Sequence, residues 1–141
     1  MVHLTDVTLR DGLQMETRLV SVAEKLKLFD LLKACGYSRL EITSFVSPKW
    51  IPQFADSQEF CEKLFAKELG QECMAFVPNV KGLERLLSFP IAWVSAFIAA
   101  SETFNKKNVN STREETLDEL ARIITLAHEK KRKVRIYVST V

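Results

Sequence analysis

The sequence predicts an α/β fold built on a parallel sheet, in a single domain that spans residues 1–141. Short apolar runs rich in β-branched and aromatic residues alternate along the chain with segments of helical periodicity. These runs are apolar at successive positions, as is typical of strands that are covered on both faces. Because one strand recurs about every 30 to 35 residues, the order predicts βαβ units with right-handed crossovers.

The predicted strands number five and the predicted helices number four. The strands are residues 2–9, 40–46, 73–77, 91–98 and 134–138, and the first of them is the weakest. Three helices begin at the spacing of a capping box, in which two side chains satisfy the first backbone amides. These pairs are Ser21 and Glu24, Asp56 and Glu59, and Ser111 and Glu114. A shorter helix is predicted over residues 80–87.

Apolar residues at helical spacing define the buried faces of the first and last helices. Gly36 is placed to end the first helix. The predicted stripes are Val22, Leu26, Phe29 and Leu32 in the first helix, and Leu117, Leu120, Ala121, Ile124 and Ala127 in the last.

Composition excludes several classes of protein. Lys and Arg total 20 against 18 Asp and Glu, a net charge of +2 that is too even to predict a nucleic-acid or membrane-surface partner. No apolar run reaches the roughly 18 residues of a membrane span, and the start of the chain lacks a secretory signal pattern. The three cysteines, Cys35, Cys61 and Cys73, are expected to be buried packing residues in a cytoplasmic protein.

Two architectures fit the predicted order of elements. One is a doubly wound open sheet, and the other is part of an eight-stranded (β/α) barrel, which typically needs about 250 residues. The order alone favours the open sheet, because that fold requires no further strands.

A charged triplet follows the first predicted strand. Arg10, Asp11 and Gly12 would lie at the carboxyl end of that strand, where α/β proteins bind ligands. Asp11 could bind a hard divalent cation, and Arg10 could polarise a carbonyl or hold an enolate oxygen. The alternative is a turn that is held by an Arg–Asp pair.

A carboxylate interrupts the second predicted strand. Glu41 lies in an otherwise apolar run, where a buried charge is costly unless it is paired. Arg10 is a plausible partner, since neighbouring parallel strands present equivalent positions to one face. Alternatively, Glu41 faces solvent or pairs with a helix.

These motifs together closely resemble hydroxymethylglutaryl-CoA lyases. The resemblance lies in residues 10–14 (Arg-Asp-Gly-Leu-Gln) and 41–53 (Glu-Ile-Thr-Ser-Phe-Val-Ser-Pro-Lys-Trp-Ile-Pro-Gln), and it continues through residues 77–84, 101–110 and 137–139. That family belongs to a superfamily of metal-dependent lyases and Claisen-type synthases built on a TIM barrel. The resemblance therefore favours the partial barrel over the open sheet.

The resemblance also implies roles for individual residues. Arg10 matches the arginine that binds the substrate carbonyl and stabilises the enolate, and Glu41 matches the glutamate that orients it. Asp11 matches a ligand of a divalent metal, Mg or Mn. Gln14 and Ser44 match residues that line the substrate pocket. Less specific matches at later strand ends are Asn79, Ser101 and Asn108.

The implied reaction is the cleavage of 3-hydroxy-3-methylglutaryl-CoA to acetyl-CoA and acetoacetate, a step of leucine degradation. It is a metal-assisted retro-Claisen reaction on an acyl-CoA, in which fixed positive charge stabilises the thioester enolate.

Some features depart from the family pattern. Residues 6–12 look more like the synthase branch, which makes isopropylmalate or homocitrate, and Thr17 stands where lyases often have lysine. The family's His-x-His pair, its asparagine ligand and its glycine-rich loop with a reactive cysteine have no counterpart here, and neither His3 nor His128 is placed to replace them. The alternatives are therefore a related synthase or a partial barrel that is inactive alone. Such a barrel would expose sheet edges and an apolar inner face, so self-association is expected.

Overall fold

One parallel sheet organises the molecule, for which the computed structural model describes residues 2–67, 69 and 72–139. Its strands are Thr5–Asp6 (β1), Arg39–Ser44 (β2), Glu72–Phe76 (β3), Trp93–Ala99 (β4) and Lys133–Ser139 (β5). They lie in the order β1-β2-β3-β4-β5, and every neighbouring pair is parallel. A doubly wound fold would place β1 between non-sequential neighbours, so this order confirms the partial barrel.

Helices connect the strands and cover the outer face of the sheet. The α-helices are Val22–Ala34 (α1), Ser57–Phe65 (α2), Val80–Leu86 (α3), Glu102–Val109 (α4) and Arg113–Glu129 (α5). A π-helical turn covers Thr8–Gly12, and a short 3-10 helix covers Pro52–Phe54. Four α-helices match those predicted. No helix in the described part of the chain is long and apolar enough to span a membrane.

The hydrophobic core lies between the sheet and these helices. Buried strand residues such as Leu40 and Val94 belong to one cluster with Phe29, Phe60 and Ile123 from the helices. Two of the cysteines are part of this core, as predicted, and burial raises the pKa values of the thiols of Cys61 and Cys73, that of Cys73 to about 12. The prediction for the third is wrong, because Cys35 at the end of α1 is exposed.

The helix boundaries confirm some of the predicted caps and correct others. Ser21 and Glu24 form the predicted capping box of α1, and Gly36 follows that helix with φ +85°. Asp56 precedes α2 without a side-chain cap, because its carboxylate instead binds the buried Lys25 ammonium at 2.5 Å.

The last helix starts one residue later than predicted. Thr112 and Glu115, not Ser111 and Glu114, form its capping box. The buried face shifts as well, so that Leu117 is exposed. The buried residues of α5 are Thr116, Leu120, Ile123 and Ala127.

Helix α4 has no counterpart in the prediction. Its sequence is polar and its one buried residue is an asparagine, Asn105, so it lacks an apolar stripe. The Asn105 amide donates to the carbonyls of Ser111 and Thr112 and to the Thr116 hydroxyl, while its oxygen accepts from the Ala99 amide. This side chain therefore joins α4 to the end of β4 and to the start of α5.

The inner face of the half-barrel is more polar than the sequence predicted. Alternate residues of β5 point inward and reach across to other strands. Lys133 donates to Glu72 on β3 at 3.1 Å, and Arg135 donates to Thr5 on β1 at 3.2 Å. Polar contacts thus bridge the curled sheet, where an apolar face was expected.

Candidate active site

A tight turn places Arg10 at the carboxyl end of β1. The amides of Arg10, Asp11 and Gly12 all donate to the Val7 carbonyl, at 3.1, 2.7 and 3.3 Å. The Asp6 carboxylate accepts from the Thr8 amide at 2.9 Å and so starts the turn. The predicted strand over residues 2–9 is therefore cut to two residues, and Arg10 lies in the π-helical turn that follows.

The predicted pairing of Arg10 with Glu41 is present. Arg10 Nε donates to Glu41 Oε2 at 2.8 Å, and Arg10 Nη1 donates to Asp11 Oδ1 at 2.7 Å. The Glu41 side chain is fully buried, which excludes the alternative that it faces solvent. The guanidinium carbon lies 5.5 Å from the Phe76 ring centroid and 5.6 Å from that of Tyr137.

The electrostatic environment keeps Arg10 positively charged. Burial of the guanidinium lowers its pKa, but the nearby charge and hydrogen bond of Glu41, with a further contribution from Asp11, outweigh burial and raise the pKa. A permanently protonated donor therefore lies at this end of the sheet.

Two further side chains, for which the sequence predicted no role, bind the Glu41 carboxylate. The Ser95 hydroxyl on β4 donates to Glu41 Oε1, and the Tyr137 hydroxyl on β5 donates to Oε2 at 3.2 Å. Burial and the charge of Glu41 raise the pKa of Tyr137, so its hydroxyl stays protonated as a donor. The signal in the sequence was a polar side chain within an otherwise apolar run, Ser95 alone in residues 91–98 and Tyr137 beside Arg135 in residues 134–138, but such side chains have many possible partners.

A cavity of about 930 Å³ opens beside this cluster. Its volume is within the range of ligand sites in proteins, roughly 300–1,000 Å³. Arg10, Asp11 and the predicted pocket residue Gln14 line it, as do the exposed Trp50 and the hydroxyphenyl ring of Tyr137. Of the less specific matches, Asn79 and Asn108 also lie on the cavity wall.

The structure does not bring the other predicted residues to the cavity. Ser44 ends β2 but is buried, and its hydroxyl accepts a hydrogen bond from the Val46 amide at 3.2 Å. Ser101 is the N-cap residue of α4, where its hydroxyl accepts from the Phe104 amide. The substrate-binding role implied for Ser44 stays a prediction that the geometry of the cavity does not favour.

The described residues supply part of a metal site at most. Asp11, whose side chain is 60% exposed, borders the cavity but also binds Arg10. Within residues 2–67, 69 and 72–139, no three His, Cys, Asp or Glu side chains are grouped so that they could hold a metal. His3 and His128 are both exposed and neither lines the cavity. Since Mg²⁺ takes about six oxygen ligands, these residues do not form a complete site for it.

Comparison with known proteins places these features in a family. The HMGL-like family model matches residues 1–140. The mitochondrial hydroxymethylglutaryl-CoA lyase of Macaca fascicularis is 44% identical over 140 residues, which are 99% of this chain and 43% of that protein.

Solved structures show the same fold. The HMG-CoA lyase of Bacillus subtilis has a TM-score of 0.93 at 38% identity, covering 99% of this chain and 47% of that one. An HMG-CoA lyase of Acinetobacter baumannii, in complex with coenzyme A and 3-methylmalate, has a TM-score of 0.89 at 28% identity, covering 98% and 45%. The chain spans less than half the length of these relatives. With the fold, the Arg10–Glu41 pair and the family model in agreement, the chain belongs to the HMGL-like family.

Proposed function

We propose that this protein is a carbon–carbon lyase that cleaves 3-hydroxy-3-methylglutaryl-CoA to acetyl-CoA and acetoacetate. One observation carries the proposal: a buried glutamate holds the Arg10 guanidinium at the wall of the cavity. Relatives named hydroxymethylglutaryl-CoA lyase, which match nearly all of this chain, support it. The three relatives described above are named as lyases, which favours the lyase over the synthase alternative.

The reaction makes a specific demand on the protein. Loss of the proton from the 3-hydroxyl lets an electron pair on that oxygen form the ketone of acetoacetate. The bond between C2 and C3 breaks, and its electrons become the thioester enolate. The enolate takes a proton at C2 and leaves as acetyl-CoA. Negative charge therefore develops on the thioester oxygen, where a fixed positive donor lowers the barrier.

Arg10 meets that demand. Its Nε donates to Glu41 and one Nη1 hydrogen donates to Asp11, so the guanidinium keeps further N–H donors beside the cavity that Arg10 lines. The raised pKa of Arg10 keeps it from giving up a proton to the enolate, so that it acts by electrostatic stabilisation. Because Glu41 holds the guanidinium before substrate binds, little reorganisation is required when charge develops.

The substrate class that we propose is an acyl-CoA. The structure of a relative at 28% identity is a complex with coenzyme A and 3-methylmalate, and the cavity of this chain is lined in part by the exposed Trp50. A role in leucine degradation and a cytoplasmic location are part of the same proposal. Free thiols at Cys35, Cys61 and Cys73 fit a reducing compartment.

The divalent metal, Mg or Mn, is a further proposal. Asp11 would contribute one carboxylate ligand, and such an ion would supply charge that polarises the substrate oxygens. The described residues hold no complete set of ligands, which favours a second candidate: a partial barrel whose site other residues must complete. The exposed edge of β5, with its exposed Val138, is where we expect further strands or another copy to associate.

Release of acetoacetate from 3-hydroxy-3-methylglutaryl-CoA, in excess Mg or Mn, tests both candidates. The 141-residue chain alone is expected to give negligible release, and the chain supplied in trans with strands six to eight of a homologous lyase is expected to be active. That activity should vanish in Asp11→Ala and Arg10→Ala. Formation of isopropylmalate instead of acetoacetate release, or activity that survives Arg10→Ala, would contradict the proposed function.

A further inference from the structure

We propose that Ser95 is a positioning residue, which locks the Glu41 carboxylate and thereby sets the direction in which Arg10 faces the cavity. This inference rests on the proposed lyase function and deepens it, because it assigns to β4 a part in holding the group that would stabilise the enolate. It follows from the way the two oxygens of Glu41 are shared among their partners.

The two carboxylate oxygens have different partners. Oε2 accepts from Arg10 Nε at 2.8 Å and from the Tyr137 hydroxyl at 3.2 Å. Oε1 accepts from the Ser95 hydroxyl, the partner that the described residues provide for it. The last torsion of a glutamate side chain is broad and roughly two-fold, so contacts to one oxygen alone leave the plane of the carboxylate poorly defined. Donors on both oxygens fix that plane.

Ser95 is itself firmly held. It is fully buried in the middle of the sheet, and its backbone pairs with Phe76 on β3 and Arg135 on β5. Its carbonyl accepts from the Val77 amide at 2.8 Å. The hydroxyl of Ser95 therefore reaches Glu41 from a rigid strand and not from a loop.

The plane of the carboxylate matters because Arg10 is bound through Nε. A guanidinium is planar, so a hydrogen bond at Nε sets the direction of the whole group. Rotation of the carboxylate would move Oε2 and swing the two Nη nitrogens of Arg10, from which we expect the N–H donor to the substrate oxygen to come. Ser95 thus acts on Arg10 through Glu41, across two hydrogen bonds.

A matched pair of variants isolates the hydroxyl. Ser95→Val and Ser95→Thr have nearly the same shape and both suit a strand, but only threonine keeps the donor. Valine is preferred to alanine because Ser95→Ala would leave space for a water molecule that could replace the hydroxyl as a donor, whereas the valine side chain fills that space. Thr125→Val, which removes an exposed hydroxyl bound to the Ala121 carbonyl on α5, controls for loss of a hydroxyl elsewhere.

The first readout requires no turnover. The nitrogen-15 resonance of Arg10 Nε, identified by its absence in Arg10→Lys, reports the bond to Glu41. Hydrogen exchange at Nε is expected to be about tenfold faster in Ser95→Val than in the wild type, and close to wild type in Ser95→Thr and Thr125→Val. A purely structural role would lower the melting temperature without this difference. Unchanged exchange in Ser95→Val, or equal exchange in the valine and threonine variants, would overturn the proposal.

The second readout separates this inference from the proposed function. In the complemented assay described above, Ser95→Val is expected to lower kcat about tenfold with little change in KM, while Ser95→Thr retains most activity. If wild-type protein shows no turnover but Arg10 Nε responds as expected, the lyase function fails while the positioning by Ser95 stands. If wild-type protein turns over and the kcat of Ser95→Val is unchanged, the positioning role is wrong.

Discussion

Two carboxylates inside the half-barrel each bind an arginine that also lies against an aromatic ring, Glu72 at the amino ends of the strands and Glu41 farther along, beside the cavity. We call Arg10, Glu41, Ser95 and Tyr137 the upper network. The lower network consists of the first residues of four strands, namely Arg39, Glu72, Trp93 and Lys133.

The lower network has more hydrogen bonds than the upper one. Arg39 Nε and Nη2 donate to Glu72 Oε2 at 3.1 and 2.8 Å, Trp93 Nε1 donates at 3.1 Å, and Lys133 donates to Oε1 at 3.1 Å. The Arg39 guanidinium lies 4.3 Å from the Trp93 ring centroid. Hydrogen bonds from Arg39, Lys133 and Trp93 lower the pKa of Glu72 to about 2.

The two networks differ in how deeply the glutamate is buried and in whether the arginine borders the cavity. The Glu72 side chain is 41% exposed, so water screens its ion pairs, whereas Glu41 is fully buried and Arg10 borders the cavity. In barrel enzymes the carboxyl ends of the strands carry the chemistry and the amino ends contribute to stability. An arginine–glutamate–aromatic arrangement therefore does not itself indicate a site, whereas its burial beside a cavity does.

The largest expected difference between the networks is in turnover. In the complemented assay, Arg10→Lys should lower kcat by about 100- to 1,000-fold, because lysine has no planar group that Glu41 can orient while it stabilises the enolate. Arg39→Lys should change kcat by less than about twofold, because Arg39 starts β2 at the amino ends of the strands and does not line the cavity. Acetoacetate release measures both variants, and comparable losses in the two would contradict the division into a chemical and a structural network.

A second difference is expected in the free energy of unfolding. Glu41→Gln removes the charge that compensates the largely buried Arg10 and should cost about 3 kcal/mol. Glu72→Gln breaks pairs that are open to solvent and should cost less than about 1 kcal/mol. Urea unfolding of the two variants provides the comparison, and circular dichroism confirms that both fold. A larger loss in Glu72→Gln would show that the number of hydrogen bonds outweighs burial.

These networks also show what a sequence can predict. A carboxylate in an apolar strand needs a counter-charge, and Arg10 follows the neighbouring strand, so the pair with Glu41 could be inferred. The order of strands could likewise be inferred from the alternation of elements together with the family resemblance. Ser95 could not, because a buried hydroxyl can be satisfied by backbone as readily as by a carboxylate.

Other errors have equally physical causes. Helix α4 is held by hydrogen bonds of Asn105 and not by an apolar stripe, so no periodicity marks it. Asp56 has the spacing of a cap but binds Lys25, a partner from another helix that no local pattern reveals. The polar character of the inner face was missed for a related reason. Its long polar residues, such as Arg135, bind partners on strands that are distant in the sequence, and no local pattern reveals those partners.

A smaller effect than those on turnover and unfolding is expected in the upper network, where the pKa of Tyr137 should depend on Glu41. Burial first, and the charge of Glu41 second, raise its pKa above the ordinary value of 10.0. Since the folded-state pKa is the higher one, the stability that this group contributes is complete below pH 10 and is lost as the pH rises through the folded-state pKa. In Tyr37→Phe, Tyr137 is the remaining tyrosine, and its tyrosinate absorbance should appear only above the pH at which the urea-unfolded protein titrates. Glu41→Gln in that background should lower the pKa partway, and no change would mean that Glu41 does not act on Tyr137.

The smallest expected effect is a loss of stability in acid, caused by protonation of Glu72 in the lower network. The pKa of Glu72 lies at about 2 against an ordinary 4.5, so the stability from its ion pairs is present above pH 4.5 and is lost as the pH falls toward 2. Because solvent screens this half-exposed carboxylate, the loss should stay below about 1 kcal/mol and should shrink with added salt. Urea unfolding of wild type and Glu72→Gln across this range measures it, and Glu24, whose pKa is also about 2, contributes equally to both proteins. The wild type should therefore lose slightly more stability in acid than Glu72→Gln. If the free energy of unfolding falls equally with pH in the two proteins, the charge of the lower network adds no measurable stability. The Glu72 carboxylate would then act only as a hydrogen-bond acceptor.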